Sequence, residues 1–376
     1  MKTFTVNKIW KGMGIKMRVI CMYLPQYHRF PENDAWWGEG YTEWTAVKRA
    51  VPLYKGHAQP KHPYEDWYYD LEKEGVKTLK WQASLAKDYG IYGFCFYHYW
   101  FCGKQLMEKP MEILLAHPEI NLRYSICWAN ESFTRTWYGL ADQVLMRQEY
   151  GVEKDWQRHF TYLLPFFLDK RYMKVGNRPV LHIYRTKDIK HLDKMLACFH
   201  KLAKNNGFDG MFIVGGRTAG EEETREGLID AYYTFEPGYT LKHDFGKLAS
   251  IEYQSKVLWR TIWNKLFPRK KLERRISIDT IFARIAKREG EEKVYPGLFP
   301  KWDNTPRRSY KGLVYEGASP EKFLSCLKRL KEKVEGRKED FVYINAWNEW
   351  GEGAYLEPDK ESGFAYLEAV RCAGED

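Results

Sequence analysis

Short runs of β-branched and aromatic residues alternate with longer segments of helical periodicity, and this alternation limits the possible folds more than any other sequence feature. Repeated strand–helix units are typical of a parallel sheet covered by helices. Eight strands are predicted, at residues 17–24, 92–99, 123–129, 179–184, 210–215, 231–235, 297–302 and 341–347. Eight such units in 376 residues predict an α/β fold made of a single (β/α)8 TIM barrel.

An open, doubly wound sheet is the alternative that fits the same alternation. Such sheets commonly carry a G-x-G-x-x-G loop after the first strand, where backbone amides approach a dinucleotide. In this chain the position holds Leu24-Pro-Gln-Tyr-His28 instead. The closed barrel is therefore the preferred prediction.

One barrel domain is predicted over residues 17–376, after an extension over residues 1–16. The connection 26–69 is long and rich in Trp and His, and we expect it to arch over the C-terminal face, where barrels carry their function. The connection 239–294 is a basic helical insertion. Within it, residues 251–267 are partly amphipathic, and packing on the barrel is favoured over docking to a partner or to an anionic membrane.

The net charge of +10 is concentrated between Lys247 and Arg288, and no nucleic-acid-binding motif accompanies it, so no nucleic acid partner is predicted. No apolar run is long enough to span a bilayer, and the first residues lack a signal segment. Seven cysteines, with Cys21, Cys95 and Cys127 in apolar runs, favour a reduced, cytoplasmic location. Convergent metal ligands are not recognisable, so neither a metal nor a cofactor is predicted.

The segment Asn345-Ala-Trp-Asn-Glu-Trp-Gly-Glu-Gly353 ends the eighth predicted strand. Its carboxyl groups, Glu349 and Glu352, lie among tryptophans and glycines, where an unused charge would be costly. Two carboxyls at one site disfavour each other's ionisation, which leaves one as an acid and one as a base near neutral pH. This division of roles suits glycosyl transfer, and Glu349 and Glu352 are the predicted catalytic residues.

Polar and aromatic side chains near the C-terminal ends of the predicted strands are the candidates for substrate binding. Aromatic residues make up 16% of the chain, and Trp and Tyr suit sugars because they combine an apolar face with a polar group. The predicted binding residues are Tyr23, His28, Trp44, His98, Trp128, Asn130, Glu131, Glu236, Trp302, Asp303, Asn304, Asn348 and Tyr355.

Several charged residues fit two roles. Glu131 is a third carboxylate candidate or an ion-pair partner of Arg135. Glu236 is as consistent with a structural role as with catalysis. Arg307 and Arg308 suit an anionic sugar or a diphosphate leaving group, but they also suit a solvated surface.

At these motifs the sequence resembles the WbsX-type family of polysaccharide and O-antigen biosynthesis proteins, which is related to glycoside hydrolase family 99. The matching segments span nearly the whole chain. They are Tyr23-Leu-Pro-Gln-Tyr-His28, Trp36-Trp-Gly38, Thr42-Glu-Trp44, Gly90-Ile-Tyr-Gly-Phe-Cys-Phe-Tyr-His-Tyr-Trp100, Cys127-Trp-Ala-Asn-Glu131, Trp302-Asp-Asn-Thr-Pro-Arg-Arg308 and Asn345 to Pro358.

The resemblance to family 99 implies a (β/α)8 barrel that cleaves α-mannosides with retention, using glutamates in the context found here from Asn348 to Gly353. By resemblance, Glu349 is the base that helps the sugar's own 2-hydroxyl attack the anomeric carbon, which gives a 1,2-anhydro sugar. Glu352 is the acid that protonates the leaving oxygen. The expected activity is cleavage or transglycosylation of a glycosidic bond in a bacterial polysaccharide or its precursor.

Two other functions stay open at this point. WbsX-type proteins are commonly labelled glycosyltransferases, although this chain has no D-x-D motif and no nucleotide-binding loop. The third alternative is a non-catalytic glycan-binding barrel. The expected partner is an oligosaccharide or polysaccharide in each case. Lipid-linked and anionic forms are both open, as is peripheral membrane contact through the basic insertion.

Overall fold

The computed structural model of the protein describes residues 17–134, 144–225 and 227–375. The predicted extension over residues 1–16 lies outside this part of the chain, and so does Arg135.

Nine parallel strand segments form one sheet that curls into a nearly closed barrel, with the segments in the order β7-β6-β5-β4-β3-β2-β1-β9-β8. The segments are β1 (Arg18–Tyr23), β2 (Ile91–Phe101), β3 (Tyr124–Trp128), β4 (Arg178–Ile183), β5 (Phe212–Arg217), β6 (Ala231–Thr234), β7 (Val294–Tyr295), β8 (Gly297–Leu298) and β9 (Phe341–Ile344).

The barrel closes at Pro296, the single residue between β7 and β8. Segment β7 pairs with β6, and β8 pairs with β9. Proline has no backbone N–H and interrupts the ladder, while its carbonyl accepts a hydrogen bond of 3.0 Å from the amide of Tyr343. The two segments together take the place of the seventh strand, so the predicted (β/α)8 barrel is confirmed. The predicted strand 297–302 starts earlier, at Val294, and ends at Leu298.

Polar and aromatic side chains fill the interior of the barrel. Nε2 of His182, on β4, lies 2.7 Å from the hydroxyl of Tyr343, whose ring centroid is 4.9 Å from that of Tyr233. Burial lowers the pKa of His182 to about 4, so the ring is neutral at physiological pH. Cys95 and Cys127 contact the same layer, and all seven cysteines are free. The interior is a packed core, which leaves the rim of the barrel for function.

The helices of the described residues lie outside the barrel or at its rim. They are α1 (Pro31–Trp37), α2 (Glu43–Arg49), α3 (Gly75–Asp88), α4 (Lys109–Ala116), α5 (Glu153–Leu168), α6 (Leu192–Asn205), α7 (Lys247–Leu266), α8 (Ile278–Lys287), α9 (Thr305–Arg308), α10 (Pro320–Val334) and α11 (Ala365–Glu375).

Helix α10 shows how the sequence sets these elements. Ser319 caps its first turn by accepting a hydrogen bond from the amide of Lys322, and Pro320 occupies the first helical position, where no N–H is needed. Its buried stripe faces the barrel and consists of Phe323, Cys326, Leu327, Leu330 and Val334. This spacing of three and four residues is the amphipathic pattern that the sequence predicts for the outer helices.

Short ladders outside the barrel brace its loops. A parallel pair joins Arg274–Ser277 to Leu313–Glu316, and an antiparallel pair joins Asn348–Glu349 to Ala354–Tyr355. Three further antiparallel pairs join Phe133–Thr134 to Val144–Met146, Lys104–Leu106 to β2, and Lys174–Val175 to β4.

The insertion forms helix α7, a short strand and helix α8. No residue of α7 is buried. The prediction that its apolar stripe packs on the barrel is wrong for Leu258, Ile262 and Leu266, which are 62%, 47% and 70% exposed. The inner face of α7 is instead formed by half-buried residues such as Tyr253 and Val257. Among the helices in the described ranges, none is both long and apolar enough to cross a membrane.

We expect Leu181→Ala to lower the free energy of unfolding by about 2–5 kcal/mol, because Leu181 is fully buried in β4 and truncation leaves a cavity. Leu168→Ala is the matched control, since Leu168 is 56% exposed at the end of α5 and its truncation should change stability by less than about 0.5 kcal/mol. Urea unfolding followed by circular dichroism measures both. Equal losses in the two variants would contradict the burial of β4 in the barrel.

Candidate active site

A cleft of about 410 Å³ opens at the C-terminal ends of the barrel strands. Side chains from most of the strand ends meet there, as barrels commonly arrange their active sites. Its lining consists of Leu24, Gln26, Tyr97, Tyr99, Ala129, Glu131, Ser132, Phe133, Tyr184, Ala219, Phe235, Trp302, Asn304, Arg307, Arg308, Glu349 and Glu352.

Asn348 fixes the chain immediately before Glu349. Its side-chain oxygen accepts from the amide of Leu24 at 2.8 Å, and its side-chain nitrogen donates to the carbonyl of Leu24 at 3.0 Å. This double hydrogen bond ties the end of β9 to the end of β1. The backbone segment that carries Glu349 into the cleft is therefore anchored to the end of β1.

A buried carboxylate, Glu357, anchors the tryptophans that flank the pair. It accepts hydrogen bonds from the indole N–H groups of Trp347 at 2.9 Å and Trp350 at 2.7 Å, and from Gln82 at 2.7 Å. Burial raises the pKa of Glu357 to about 7, although these donors act in the opposite direction. The two tryptophans thus serve the packing of the loop, and Trp350 also stacks on Tyr355 with ring centroids 3.7 Å apart.

Arg307 joins three carboxyl groups at the cleft. Its guanidinium lies 2.8 Å from Glu43, 2.9 Å from Glu349 and 2.9 Å from Glu352. The side chain of Arg307 is only 4% exposed, and that of Glu43 is fully buried. One cation therefore faces three carboxyls in a site that is largely shielded from water.

Two glycines allow this close arrangement. A β-carbon on Gly351 would lie 1.7 Å from Oε1 of Glu43, so only glycine lets the loop and this carboxylate approach each other. Gly353 has a φ of 60°, and a β-carbon there would meet the backbone of Asp303 at 2.8 Å. The amide of Asp303 donates to the carbonyl of Glu352 at 2.7 Å, which ties the loop to the segment before α9.

The surroundings raise the pKa of both cleft carboxyls. Burial raises the pKa of Glu349 to about 8, and the charges of Glu352 and Glu43 add to this effect while Arg307 opposes it. Burial also raises the pKa of Glu352, again against the effect of Arg307. A pair of this kind retains a proton at neutral pH and supplies both an acid and a base.

Five of the predicted site residues line this cleft together. They are Glu131, Trp302, Asn304, Glu349 and Glu352. Glu131 pairs with Arg185 at 2.7 Å, whereas the partner expected from sequence, Arg135, lies outside the described residues. Burial raises the pKa of Glu131, with Arg185 opposing the shift.

Most of the other predicted binding residues are buried behind the cleft and hydrogen-bond to protein groups. The hydroxyls of Tyr23 and Tyr355 donate to Gln82 and Asp359. The indole N–H groups of Trp44 and Trp128 donate to the carbonyls of Tyr69 and Trp100. Asn130 and Asn348 exchange hydrogen bonds with the backbones of Arg185 and Leu24, and His28 contacts the carbonyl of Pro25. Their role in binding sugars stays a prediction.

His98 and His159 form a buried pair, with 3.0 Å between their Nε2 atoms. Burial lowers the pKa of His98 to about 3 and also lowers that of His159 well below its ordinary value, so both rings are neutral at physiological pH. His159 stacks on Trp100, with ring centroids 4.6 Å apart. These contacts give the second strand end a packed, uncharged environment.

Two predicted acidic residues hold structure around the cleft. Glu236 is fully buried and pairs with Arg288 at 2.8 Å and with the hydroxyl of Thr240 at 2.8 Å. Asp303 accepts from His57 and Gln59, both at 2.7 Å, and so ties the first long connection to the end of the seventh strand. Burial alone would raise the pKa of Asp303, but these hydrogen bonds hold it below its ordinary value.

Several cleft residues were not in the predicted site. Tyr97, Tyr99 and Tyr184 line the cleft from strand ends. Their positions at strand ends indicated a place in the site, but the prediction selected the neighbouring histidines and tryptophans instead. Glu43 lies in the family-matching segment Thr42-Glu-Trp44, but it follows no predicted strand, and a contact with Arg307 across 264 residues has no local sequence signal. Within the described ranges, no group of three or more His, Cys, Asp or Glu is arranged to hold a metal ion.

The sequence model of the family described as "Glycosyltransferase WbsX" matches residues 19–370. The chain belongs to the WbsX glycosyltransferase family. It is therefore a member of a carbohydrate-active enzyme family, and the resemblance found in its sequence motifs is confirmed.

Two relatives of this WbsX-family chain come from Xanthomonas campestris pv. campestris, and both are described as "Uncharacterized protein WxcX". The protein from strain ATCC 33913 is 35% identical over 362 residues, and the one from strain B100 is 34% identical over 358 residues. Each match covers 94% of this chain and 49% of the relative. The chain thus spans about half the length of these relatives.

Solved structures share the fold of this WbsX-family chain. A "Glycoside hydrolase-like protein" matches with a TM-score of 0.57 at 13% identity, covering 100% of this chain and 97% of that one. The GH99 endo-alpha-mannosidase from Bacteroides thetaiotaomicron, in complex with Bis-Tris-propane, matches with a TM-score of 0.56 at 13% identity, covering 95% and 96%. At this identity the likeness establishes the barrel fold alone.

We expect Gly351→Ala to displace Glu43 from Arg307 and to lower the free energy of unfolding by about 2 kcal/mol or more, because the added β-carbon overlaps a buried carboxylate. Gly374→Ala is the matched control: its β-carbon meets no atom within 4 Å, and alanine is favoured in helix α11. Urea unfolding measures both. Wild-type stability of Gly351→Ala would contradict the close approach of loop and carboxylate.

Proposed function

We propose that this chain is a glycosidase-type enzyme that cleaves or transglycosylates a glycosidic bond in a bacterial polysaccharide or its precursor. The observation that carries the proposal is the pair Glu349 and Glu352, held on one guanidinium at the mouth of the barrel. Glycoside cleavage needs one carboxyl that donates a proton and one that accepts a proton. Burial raises the pKa of both carboxyls, so the pair shares a proton near neutral pH, and the proposed roles place that proton on Glu352 and the charge on Glu349.

In the proposed reaction, Glu349 accepts the proton of the sugar's 2-hydroxyl as that oxygen bonds to the anomeric carbon. The bond from the anomeric carbon to the leaving oxygen breaks, and Glu352 donates its proton to that oxygen. A water molecule or an acceptor hydroxyl then attacks the anomeric carbon of the 1,2-anhydro sugar. It gives its proton to Glu352, while Glu349 returns its proton to the 2-oxygen. These separate roles follow from the resemblance to family 99.

The rest of the cleft supports a sugar substrate. Tyr97, Tyr99 and Tyr184 offer apolar faces with hydroxyl groups, which suit the faces and rims of sugar rings. The indole N–H of Trp302 has no hydrogen-bond partner among the described residues, so it is a donor for a hydroxyl or carboxylate. Arg308 adds a positive charge to the lining, which suits an anionic sugar.

Glu352→Gln is expected to reduce turnover of an unactivated glycoside at least about 10³-fold. With a dinitrophenyl glycoside of the same sugar, the first release of dinitrophenolate should stay fast because that leaving group needs no acid, while later turnover slows because the attacking water has lost its base. Glu349→Gln should abolish turnover of both. A mass-spectrometric screen of bacterial glycans identifies the sugar. Glu332→Gln, an exposed substitution on α10, is the matched control and should match the wild type. Near-wild-type activity of Glu352→Gln on the unactivated glycoside would overturn the assignment.

We expect kcat/KM to fall as pH rises through about 8. Burial raises the pKa of Glu349 to about 8 and raises the pKa of Glu352 as well. Because both carboxyls lie on one guanidinium, they lose their last shared proton near this pH, and in the proposed roles that proton is the one Glu352 donates. The pH–rate profile measures this limb, and circular dichroism over the same pH range controls for unfolding. A profile that keeps rising to pH 10 would contradict a protonated carboxyl in the reactive state.

A second candidate function is glycosyl transfer from an activated sugar donor, as the family description suggests. The supporting observation is that Arg307 and Arg308 both line the cleft, where a diphosphate leaving group would need positive charge. Calorimetry against nucleotide sugars and lipid-phosphate sugars distinguishes the two functions. Saturable binding that is lost in Arg308→Gln, together with product formation only from such donors, would favour transfer.

A further inference from the structure

Helix α7 presents a row of large apolar side chains to solvent. Leu248, Ile251, Leu258, Trp259, Ile262 and Leu266 are 85%, 67%, 62%, 53%, 47% and 70% exposed. At 3.6 residues per turn, these positions fall within an arc of about 100° on the helix surface. They form a stripe about 30 Å long, which Ser255 interrupts between Ile251 and Leu258. A stripe of this size on an outer surface indicates contact with another apolar phase or molecule.

The contacts of the opposite face fix this orientation. The ring of Tyr253 packs edge-on against Phe245, with centroids 5.8 Å apart. Arg260 donates to the carbonyl of Glu273 at 3.2 Å, and Asn264 donates to the carbonyl of Lys271 at 2.7 Å. Because these inner contacts hold the helix from behind, the apolar stripe points away from the barrel.

Positive charge surrounds the stripe. Between residues 247 and 271 the chain carries seven Lys and Arg residues and a single acidic residue, Glu252. Three of the basic residues, Arg269 to Lys271, follow the end of the helix directly. The Nζ atom of Lys271 lies 3.7 Å from the ring centroid of Trp263, which stacks on Phe267. Aromatic rings beside lysines are typical of helices that lie in a lipid headgroup layer.

We propose that helix α7 and the basic residues 269–271 bind the surface of an anionic lipid bilayer. The helix lies parallel to the bilayer, with Leu258, Ile262 and Leu266 between the headgroups and Lys and Arg against the lipid phosphates. A second copy of this chain is a poorer occupant, because each copy would bring the same excess of positive charge to the contact. An anionic bilayer offers both an apolar layer and the opposite charge.

The attachment of the insertion places this surface at the cleft end of the barrel. The amide of Glu273 donates to the carbonyl of Tyr310 at 2.9 Å, and the strand Arg274–Ser277 pairs with Leu313–Glu316. Both contacts lie just beyond the α9 segment that lines the cleft. Binding through α7 therefore holds the cleft near the bilayer, where a sugar carried on a lipid would lie. The membrane contact does not depend on the proposed function, so either can fail alone.

Flotation with vesicles tests the proposal on the full chain. We expect at least about tenfold more protein on phosphatidylcholine vesicles that contain about 30% phosphatidylglycerol than on pure phosphatidylcholine vesicles, and a strong decrease in high salt. The variant Leu258→Ser/Ile262→Ser/Leu266→Ser should bind at least about tenfold less. Val152→Ser/Leu168→Ser is the matched control, because it removes apolar side chains that are 66% and 56% exposed elsewhere on the surface and should bind as the wild type does.

Every result of this design decides the proposal. Circular dichroism checks folding, and Leu266→Asp alone is the second variant if the triple variant does not fold. The proposal would be overturned if the stripe variants bound the anionic vesicles as well as the wild type does. It would also be overturned if the wild-type protein bound neither type of vesicle. Light scattering of the wild type and the triple variant tests the alternative occupant. A dimer that dissociates in the triple variant, without vesicle binding, would assign the stripe to self-association instead.

Discussion

The guanidinium of Arg307 holds the carboxyl groups of Glu43, Glu349 and Glu352 in one buried site, and the arrangement of the cleft depends on this contact. One positive charge compensates one ionised carboxylate, so ionisation of all three would leave excess negative charge in a region of low dielectric. Proton retention by the Glu349 and Glu352 pair relieves this excess. The raised pKa values therefore follow first from burial, and the excess of carboxyls over the single charge of Arg307 adds to this effect.

The same contact explains why distant parts of the chain must meet at the cleft. Arg307 comes from the short helix after the seventh strand, Glu349 and Glu352 come from the loop after β9, and Glu43 comes from the first helix pair after β1. Hydrogen bonds outside this contact also hold these segments in place. Asn348 bonds to the backbone of Leu24 at the end of β1, and Asp303 accepts from His57 and Gln59 of the first long connection. A carboxyl whose folded pKa is raised contributes stability below its ordinary pKa, and this contribution is lost as pH rises toward the folded value. The hydrogen bonds of Asn348 to the backbone of Leu24 involve no titrating group, so they hold the loop throughout this range.

The sequence predicted the barrel well because parallel strands buried on both faces leave uninterrupted apolar runs, and the helices between them leave an amphipathic spacing. It located Glu349 and Glu352 because both lie in one short motif. It did not identify Glu43 as their neighbour, because a contact across 264 residues leaves no local pattern. Composition singled out the aromatic residues without giving their surroundings. The indole N–H groups of Trp44 and Trp128 donate to backbone carbonyls, and no sequence pattern separates such a tryptophan from one that faces a sugar. For α7, the spacing of the apolar residues predicted the stripe but did not show whether the stripe faces the barrel or the solvent.

The family description and the carboxyl pair are compatible in physical terms, because hydrolysis and transglycosylation differ only in the molecule that attacks the 1,2-anhydro intermediate. In the proposed reaction, Glu352 takes a proton from water or from a sugar hydroxyl by the same step. Which of them arrives depends on how well the cleft excludes water. Its lining by Tyr97, Tyr99, Phe133, Tyr184 and Phe235 presents aromatic surface on which an acceptor sugar would stack and displace water. A transferase built on a glycosidase-type pair therefore needs no separate set of reacting groups, only an acceptor that occupies this aromatic surface longer than water does.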